Sequence, residues 1–457
     1  MPALLQEKNQ LSLFGMGEEV QLYHDSQRHG FFSILQNVKS TKRQRSYKLA
    51  EMPQVLSLLD PSRDSWMSQA EFFKPNRRVV NLWRVGLLFV DLDTYNVPHL
   101  RERSTDYLVG MVLHHCDDLG IPPPSITVFS GRGLQVKWLL ENPLPRAALP
   151  RWNACQRVLV ERLKGLGADP QAKDASRVLR LVQTVNSKNG KVCHVAHMTE
   201  KAGKPIAYDF EYLCEMLLPF TRDQIAQMRL ERASARAKRP ANRNLKILAG
   251  GQAGLLRRFS GRQLAWHRLE DLRTLAELRG GYKAGERMLH LFWQLNFLLL
   301  SGATNQNQMW HEAAALARGI DPQWGYRTDE LSTLFQKAKQ YEAGERIEFN
   351  GKLYPALYTP KNDTLINQFE ITDDEQRKLR TIINRDIAKE RDAERKRAVR
   401  AATGAVTKDE YNSTRAVEMQ QRKKQALELR GRGMSYRSIA HELKVSLASV
   451  HKYLAQK

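Results

Sequence analysis

Two aspartates one residue apart, Asp91 and Asp93, follow a run of apolar residues in the stretch GLLFVDLDTYN (86–96). The apolar run predicts a buried strand, and residues i and i+2 of a strand point to the same face. Buried carboxylates destabilise a fold unless cations or metal ions pair with them. We therefore predict that both aspartates project from a strand end, where they could share two Mg²⁺ or Mn²⁺ ions.

A glycine-rich bend follows in the stretch FSGRGLQVKW (129–138). It separates the apolar segments ITVFS (126–130) and LQVKWLL (134–140), which predicts a β-hairpin. Glycines allow a phosphate to approach the backbone, and Ser130 and Arg132 supply hydrogen-bond donors. An ordinary hairpin turn is the alternative interpretation.

A third polar stretch, DASRVLRLVQTVNSKNGK (174–191), combines one acid with several cations and amides. Acids that hold metal ions and cations that hold phosphates are what a nucleoside triphosphate site requires. Asp174 is preferred as a third acid for its distance to Arg177, and Asp169 is its rival. A solvated charged loop is the alternative interpretation.

The order of these stretches, hhhh-D-x-D, S-G-x-G-x-x-x-x-W, D-x-x-R-x-x-R and T-x-N-x-K, resembles the archaeo-eukaryotic primase superfamily over residues 84–200. The resemblance is to the replicase-primases of plasmids and related mobile elements. It implies an α+β fold with an RRM-like antiparallel sheet, and DNA primase activity on nucleoside triphosphates. It also implies that Asp91, Asp93 and Asp174 hold the catalytic metals.

The nucleotide is predicted to contact polar side chains of the second and third stretches: Ser130, Arg132, Gln135, Lys137, Arg177, Arg180, Asn186 and Lys188. Gln135 stands where the second motif often has a histidine. Glutamine can donate a hydrogen bond to phosphate but does not titrate near neutral pH. This departure leaves a second reading open, in which the core is a non-catalytic scaffold of an origin-binding initiator. A metal-dependent nuclease using the same acids is a third.

The tail ALELRGRGMSYRSIAHELKVSLASVHKYL (426–454) has the spacing of a helix-turn-helix. Ser435 and Ser446 are predicted to cap its two last helices. The small core is predicted to consist of Ile439, Leu443, Val445, Val450 and Leu454. The side chains offered to duplex DNA are Arg437, Ser446, Ser449, His451 and Lys452. A small helical cap without DNA contact is the alternative.

Six segments follow from these patterns and from the distribution of charge. They are the N-terminal part of the primase domain (1–80), its catalytic core (81–220), a basic linker helix (221–250), a helical domain like that following primase cores (251–370), a charged helix or tether (371–424) and the helix-turn-helix domain (425–457).

The bulk composition indicates a polyanionic partner. The chain has 457 residues, a formal net charge of +23 and a pI near 9.9, which favours DNA, both origin duplex and single-stranded template. Four scattered cysteines fit a reducing cytoplasm, and neither a signal peptide nor a membrane-spanning apolar run is present in the sequence. Cys193, His194 and His197 lack a second cysteine pair at zinc-ligand spacing. The sequence contains no G-x-x-x-x-G-K-[ST], so a separate helicase of the host replication machinery is the expected partner.

Overall fold

The computed structural model describes residues 15–38, 41–221, 223–228, 252–349, 351–402 and 408–455. The chain divides into two compact units, Met1–Ile382 and Ile383–Lys457, and each is described by itself. In these ranges, none of the helices combines the length and the apolar character that a membrane span requires.

The first unit contains all of the described strands. In chain order they are β1 (Phe31–Val38), β2 (Thr41–Lys48), β3 (Ser65–Ser68), β4 (Ala70–Phe72), β5 (Leu82–Leu92), β6 (Ile126–Phe129), β7 (Leu134–Pro145), β8 (Val178–Arg180), β9 (Val185–Asn186), β10 (Lys191–Val192), β11 (His194–Met198), β12 (Glu200–Lys201), β13 (Lys204–Pro205), β14 (Ala207–Tyr208), β15 (Arg346–Phe349) and β16 (Lys352–Pro355).

The described helices lie around and after the sheet. Those of the first unit are α1 (Met16–Gln21), α2 (Met52–Ser57), α3 (Thr105–Asp118), α4 (Leu149–Arg162), α5 (Phe210–Leu217), α6 (223–228), α7 (Gln252–Leu278), α8 (Arg287–Ser301), α9 (Met309–Ile320), α10 (Ser332–Glu342), α11 (Asn362–Gln368) and α12 (Asp373–Lys378). Those of the second unit are α13 (Arg385–Ala402), α14 (Lys408–Gly431), α15 (Tyr436–Glu442) and α16 (Leu447–Ala455).

A ten-stranded sheet forms the centre of the first unit, in the order β11-β6-β7-β5-β4-β1-β3-β8, with β2 added to β1 and β14 to β7. Its strands pair antiparallel, apart from the short parallel pair of β14 with β7. The remaining strands form three two-stranded ribbons. The predicted α+β class, a large antiparallel sheet followed by helices, is confirmed.

The sheet is strongly curved, because β7 and β8 touch although four strands separate them in the order. The side-chain amide of Gln135 on β7, in its hydrogen-bonded orientation, donates to the carbonyl oxygen of Arg180 at 3.2 Å. Its oxygen accepts from the Arg180 amide at 2.9 Å. The curvature brings the third polar stretch of the sequence next to the first two.

Strand β5 has an apolar interior and two covered edges. Its residues from Leu87 to Val90 are fully buried, as predicted. One edge pairs with β7, and α4 covers part of the other: Trp152 Nε1 donates to the carbonyl of Leu87 at 2.9 Å, and Gln156 bonds both backbone groups of Phe89. Helix α4 therefore covers this edge of β5 as far as Phe89, just before the two aspartates.

The helical part of the first unit packs α7 on α8, and Glu312 of α9 ties it to the sheet region. Glu312 is fully buried and accepts hydrogen bonds from the amides of Val79 (3.0 Å) and Val80 (3.2 Å). Burial, the largest cause, raises the pKa of Glu312 to about 7. Trp293 and Phe297 lie in the core of this helical part.

The boundary between the two units falls after Ile382, and the segment boundary at residue 370 stays a prediction. The Asp271 carboxylate of α7 accepts from the amides of Arg380 (2.7 Å), Thr381 (2.6 Å) and Ile382 (2.9 Å). These bonds hold the segment after α12 against α7, so the first unit continues to that point. Of the predicted linker helix, the range 229–250 lies outside the described residues.

The second unit ends in three helices around a small apolar core of Ala426, Ile439 and Val450. Leu443, Val445 and Leu454 pack against this core, so the predicted set of core residues is confirmed. Ser435 Oγ accepts from the Ser438 amide at 3.2 Å and Ser446 Oγ from the Ser449 amide at 3.1 Å, which confirms both predicted caps.

Candidate active site

Three carboxylates share one face at the end of β5. Past the part that α4 covers, the same edge of β5 pairs with residues 167–169. The Asp169 amide donates to the Asp91 carbonyl, and the Asp93 amide donates to the Gly167 carbonyl, both at 2.8 Å. Leu92 lies opposite Ala168 in this antiparallel pair, which puts Asp169 opposite Asp91. Cross-strand partners point to the same face, as do residues i and i+2. Asp91, Asp93 and Asp169 therefore converge.

The pKa of Asp91 records this convergence. It is raised from 3.8 to about 7, first by burial, then by the charge of Asp93, and less strongly by that of Asp169. Arg177 and Arg180 act in the opposite direction, since a nearby cation favours the carboxylate. The net effect is that Asp91 holds its proton more tightly than usual, and a divalent cation at this carboxylate would compete with that proton.

Asp174 lies elsewhere in the interior. Its Oδ1 accepts from Ser176 Oγ at 2.6 Å, and its charge acts on Arg77, Arg78 and Glu312. The structure thus brings Asp169 to the Asp91–Asp93 pair and sets Asp174 against the helical part of the unit. The preference for Asp174 rested on its distance to Arg177 in the chain. Backbone pairing with β5 instead determines which acid lies beside Asp91 and Asp93.

The fit for metal ions is partial in this conformation. Within the described ranges, no group of three or more His, Cys, Asp or Glu side chains is arranged to hold a metal ion. At the end of β5, Arg177 donates to Asp169 Oδ2 at 2.7 Å and so occupies one of the three carboxylates. Asp91 and Asp93 are both half-buried residues at the end of the strand. Their oxygen ligands are of the type that Mg²⁺ and Mn²⁺ prefer.

The glycine-rich hairpin between β6 and β7 packs directly on the end of β5. A Cβ at Gly133 would lie 2.1 Å from the Leu92 carbonyl oxygen, so only glycine fits there. A Cβ at Gly131, whose φ is +90°, would lie 2.6 Å from Asn186 Cβ. The hairpin is therefore wedged between the first and third polar stretches of the sequence.

The predicted residues Ser130, Asn186 and Lys188 meet at this hairpin. Asn186 Nδ2 donates to the Ser130 carbonyl at 2.9 Å, and Ser130 Oγ donates to the Gly133 carbonyl at 3.1 Å. These contacts hold the bend in shape. The Lys188 side chain is exposed beside them.

Arg132 stands at the tip of the hairpin and faces the carboxylates through Tyr95. Its guanidinium lies over the Tyr95 ring at 3.8 Å, and the Tyr95 hydroxyl donates to Asp93 Oδ1 at 2.8 Å. Burial, followed by the hydrogen bond to Asp93, raises the pKa of Tyr95 to about 12. Tyr95 therefore stays a hydrogen-bond donor to Asp93 at neutral pH.

Two of the predicted nucleotide contacts have other partners. Lys137 is fully buried, and its Nζ forms an ion pair with Glu19 of α1 at 2.6 Å. Gln135 is buried and bonds the Arg180 backbone. The assignment of Lys137 and Gln135 to the nucleotide is therefore corrected: both brace the interior of the curved sheet.

Both predicted arginines of the third stretch are paired with carboxylates. Arg177 pairs with Asp169, and Arg180 pairs with Asp64 while its guanidinium lies 4.6 Å from the Trp66 ring centre. Asp64 also accepts from the Ser187 amide at 3.1 Å. Arg180 is thus fixed in place, whereas Arg177 is the cation that a metal ion at Asp169 would displace.

A pocket of about 530 Å³ opens beside Asp93, and most of its cations are not among the predicted site residues. Its lining includes Arg101, Arg103, Arg132 and Lys191. The first two belong to the stretch RERS directly before α3, where Ser104 Oγ accepts from the Tyr107 amide at 3.3 Å. Two arginines just ahead of a capped helix were the signal available in the sequence.

The predicted DNA-binding side chains of the second unit lie on its surface. Arg437 on α15, Ser446 in the turn, and His451 and Lys452 on α16 are exposed, and Ser449 is half-buried. Lys444 in this turn has a φ of +50°, which lets four residues reverse the chain between the helices. Two short helices in this order are what the sequence predicted; their DNA contact stays a prediction.

A search with models of protein families found no match. A protein from Clostridium perfringens with the name "Replication protein" is 28% identical over 349 residues, which cover 74% of this chain and 72% of that protein. Its similarity extends well beyond the sheet.

Three solved structures are similar at low scores. The AEP domain of the cyanophage S-2L primase-polymerase is 16% identical over 41% of this chain and 89% of its own, with a TM-score of 0.31. The catalytic domain of primase RepB′, in complex with initiator DNA, is 14% identical over 49% of this chain and 99% of its own (TM-score 0.25). Primase RepB′ is 14% identical over 71% of this chain and 94% of its own, with a TM-score of 0.28. Over most of its length, the chain is thus similar to a protein named as a replication protein.

Proposed function

We propose that this chain is a replication initiation protein of a plasmid or mobile element, and that it synthesises a primer from nucleoside triphosphates on exposed template. The observation that carries the proposal is the convergence of three carboxylates on one face at the end of β5. Two of them come from the D-x-D pair, and backbone pairing fixes the third. The replication protein that is similar along most of this chain supports the same reading.

Asp91, Asp93 and Asp169 would hold two Mg²⁺ or Mn²⁺ ions. When bound, such ions supply electrostatic stabilisation of the attacking and leaving oxygens in nucleotidyl transfer. The chain's own residues orient this site. Tyr95 holds one oxygen of Asp93, and Arg177 is the counter-ion of Asp169 until a cation replaces it. Asp169 takes the place first predicted for Asp174.

The last three helices would dock the protein on duplex DNA at an origin. Exposed Arg437, His451 and Lys452 lie around the N-terminus of α15 and along α16, the element that would enter the major groove. Serines 446 and 449 lie at the start of that helix, where backbone amides favour phosphate. Unwinding would come from a separate helicase, and the protein would act in the cytoplasm.

Primer synthesis on a single-stranded template tests the catalytic proposal. Asp91→Asn combined with Asp93→Asn should reduce the rate by roughly a thousandfold or more, because metal ions contribute several kcal/mol to the transition state. Asp169→Asn should reduce it severely, while Asp174→Asn should retain most activity in protein that melts as wild type does. A normal rate for Asp169→Asn, with a severe loss for Asp174→Asn, would return the third position to Asp174.

A non-catalytic origin-binding initiator is the second candidate. It is favoured by the ion pairs that occupy Asp169 and Arg180 and by the structural role of Gln135. Under that candidate, wild-type protein makes no primer with either ribo- or deoxynucleotides yet binds origin duplex. Lys452→Ala should weaken duplex binding on either proposal, and it should leave synthesis on single-stranded template unchanged.

A further inference from the structure

We propose that the pocket beside Asp93 binds the triphosphate of a nucleoside triphosphate, through Arg101, Arg103, Arg132 and Lys191. The inference deepens the proposed function, on which it rests for the use made of the nucleotide. It moves the phosphate contacts away from Lys137, Arg177 and Arg180, which the sequence had favoured. Arg132 is the one residue that both assignments share.

The pocket has the size and place that a nucleotide site needs. Its volume of about 530 Å³ lies within the roughly 300–1,000 Å³ of small-molecule sites. It is bounded by the end of β5, the glycine-rich hairpin and the start of α3. The Tyr95 ring forms one wall and its hydroxyl bonds Asp93, so a ligand in the pocket is one side chain away from the carboxylates.

The cations of the pocket are held by uncharged groups. Arg101 Nε donates to the Tyr95 carbonyl at 3.1 Å, and Arg103 Nε donates to the His99 carbonyl at 3.3 Å. Arg132 lies against the Tyr95 ring. By contrast, Lys137, Arg177 and Arg180 are each paired with a carboxylate. The pocket therefore keeps a surplus of positive charge, with Glu102 as the acid in its lining.

The backbone fixes Arg101 and Arg103 on the two sides of an unusual residue. Glu102 has a φ of +62°, in the left-handed region that L residues rarely adopt. The following residue, Ser104, caps α3, so both arginines lie just ahead of a helix N-terminus, where anions are stabilised. Both arginine side chains are exposed, so they can be removed without opening the core.

The aromatic rings argue for phosphates rather than for a stacked base. The Tyr95 ring carries Arg132, and Lys191 Nζ lies 5.8 Å from the Phe129 ring centre. Both rings are thus already covered by cations that can turn toward an anion. Cations that converge on one recess suit a compact triphosphate better than an extended strand, whose charges are spread along its backbone.

The test is equilibrium binding of a fluorescent nucleoside triphosphate to the full chain with Mg²⁺. Arg101→Ala combined with Arg103→Ala should raise Kd at least about tenfold, since a hydrogen bond to a charged group contributes more than one factor of ten. Inorganic tripolyphosphate should compete with the nucleotide on wild type and much less on the variant. The matched control is Arg43→Ala combined with Arg45→Ala on exposed β2, which removes the same charge outside the pocket.

Two results would overturn the inference. One is a nucleotide Kd for the pocket variant within twofold of the control. The other is a loss of single-stranded oligonucleotide binding with unchanged nucleotide affinity, which would assign the pocket to the template backbone. The proposed function fails separately: wild type that binds nucleotide in the pocket but makes no primer retains the inference and loses the polymerase.

Discussion

The raised pKa of Asp91 predicts that metal binding at this site depends on pH near neutrality. A carboxylate must lose its proton to bind a divalent cation. With a pKa of about 7, Asp91 is mostly protonated at pH 6 and mostly ionised at pH 8. The apparent Kd for Mn²⁺ should therefore be about tenfold higher at pH 6 than at pH 8, because one proton competes with the metal.

Asp93→Asn provides the diagnostic perturbation. It removes the second-largest cause of the raised pKa, so Asp91 should ionise at lower pH and the midpoint of the pH dependence should move down. The variant binds Mn²⁺ more weakly overall, so the readout is the midpoint and not the affinity. Electron paramagnetic resonance of free Mn²⁺, titrated from pH 5.5 to 8.5, measures both.

The matched control is Asp174→Asn, because Asp174 is not among the leading causes of the raised pKa of Asp91. Its midpoint should equal that of wild type. An apparent Kd that is flat between pH 6 and 8, or an Asp93→Asn midpoint that moves upward, would refute the reasoning from burial and mutual repulsion.

Three further predictions concern the fold. Glu312 has a folded pKa of about 7 against a usual 4.5, so the folded state holds its proton more tightly and stability falls as pH rises through this range. Urea unfolding at pH 5 and pH 8 should show wild type losing about 2–3 kcal/mol more than Glu312→Gln. Gly133→Ala should lower stability by about 1–3 kcal/mol through its clash with β5, while Gly110→Ala, in open space within α3, should be neutral or stabilising in the same melts. Asp271→Ala leaves three backbone amides without their acceptor and should cost about 3 kcal/mol or more, with faster proteolysis after residues 380–382.

Local patterns in the sequence predicted much of this structure. The apolar run before Asp91 became a buried strand. The same holds for the core and the serine caps of the last two helices. Each of these depends on residues a few positions apart, where spacing alone determines which side chains can meet.

The parts that the sequence did not predict depend on distant partners. Lys137 meets Glu19, which lies 118 positions away, so its side chain points into the interior and not toward a ligand. Asp169 reaches the site through backbone pairing with β5, which no local pattern signals. Two arginines ahead of a helix, Arg101 and Arg103, do not by themselves indicate a ligand, because a charged loop in that position is usually solvated surface.

The pairing of residues 167–169 with β5 limits how this stretch of chain can change over time. Side chains alternate along an extended segment, so deleting one residue between 164 and 167 would slide the pair and turn Asp169 away from Asp91. A loss or gain of two residues would restore the alternation of side chains, so that a carboxylate on this segment again lies on the same face as Asp91. Working relatives should therefore differ in length here by even numbers, and odd-numbered insertions should be found only in copies that have lost the acid.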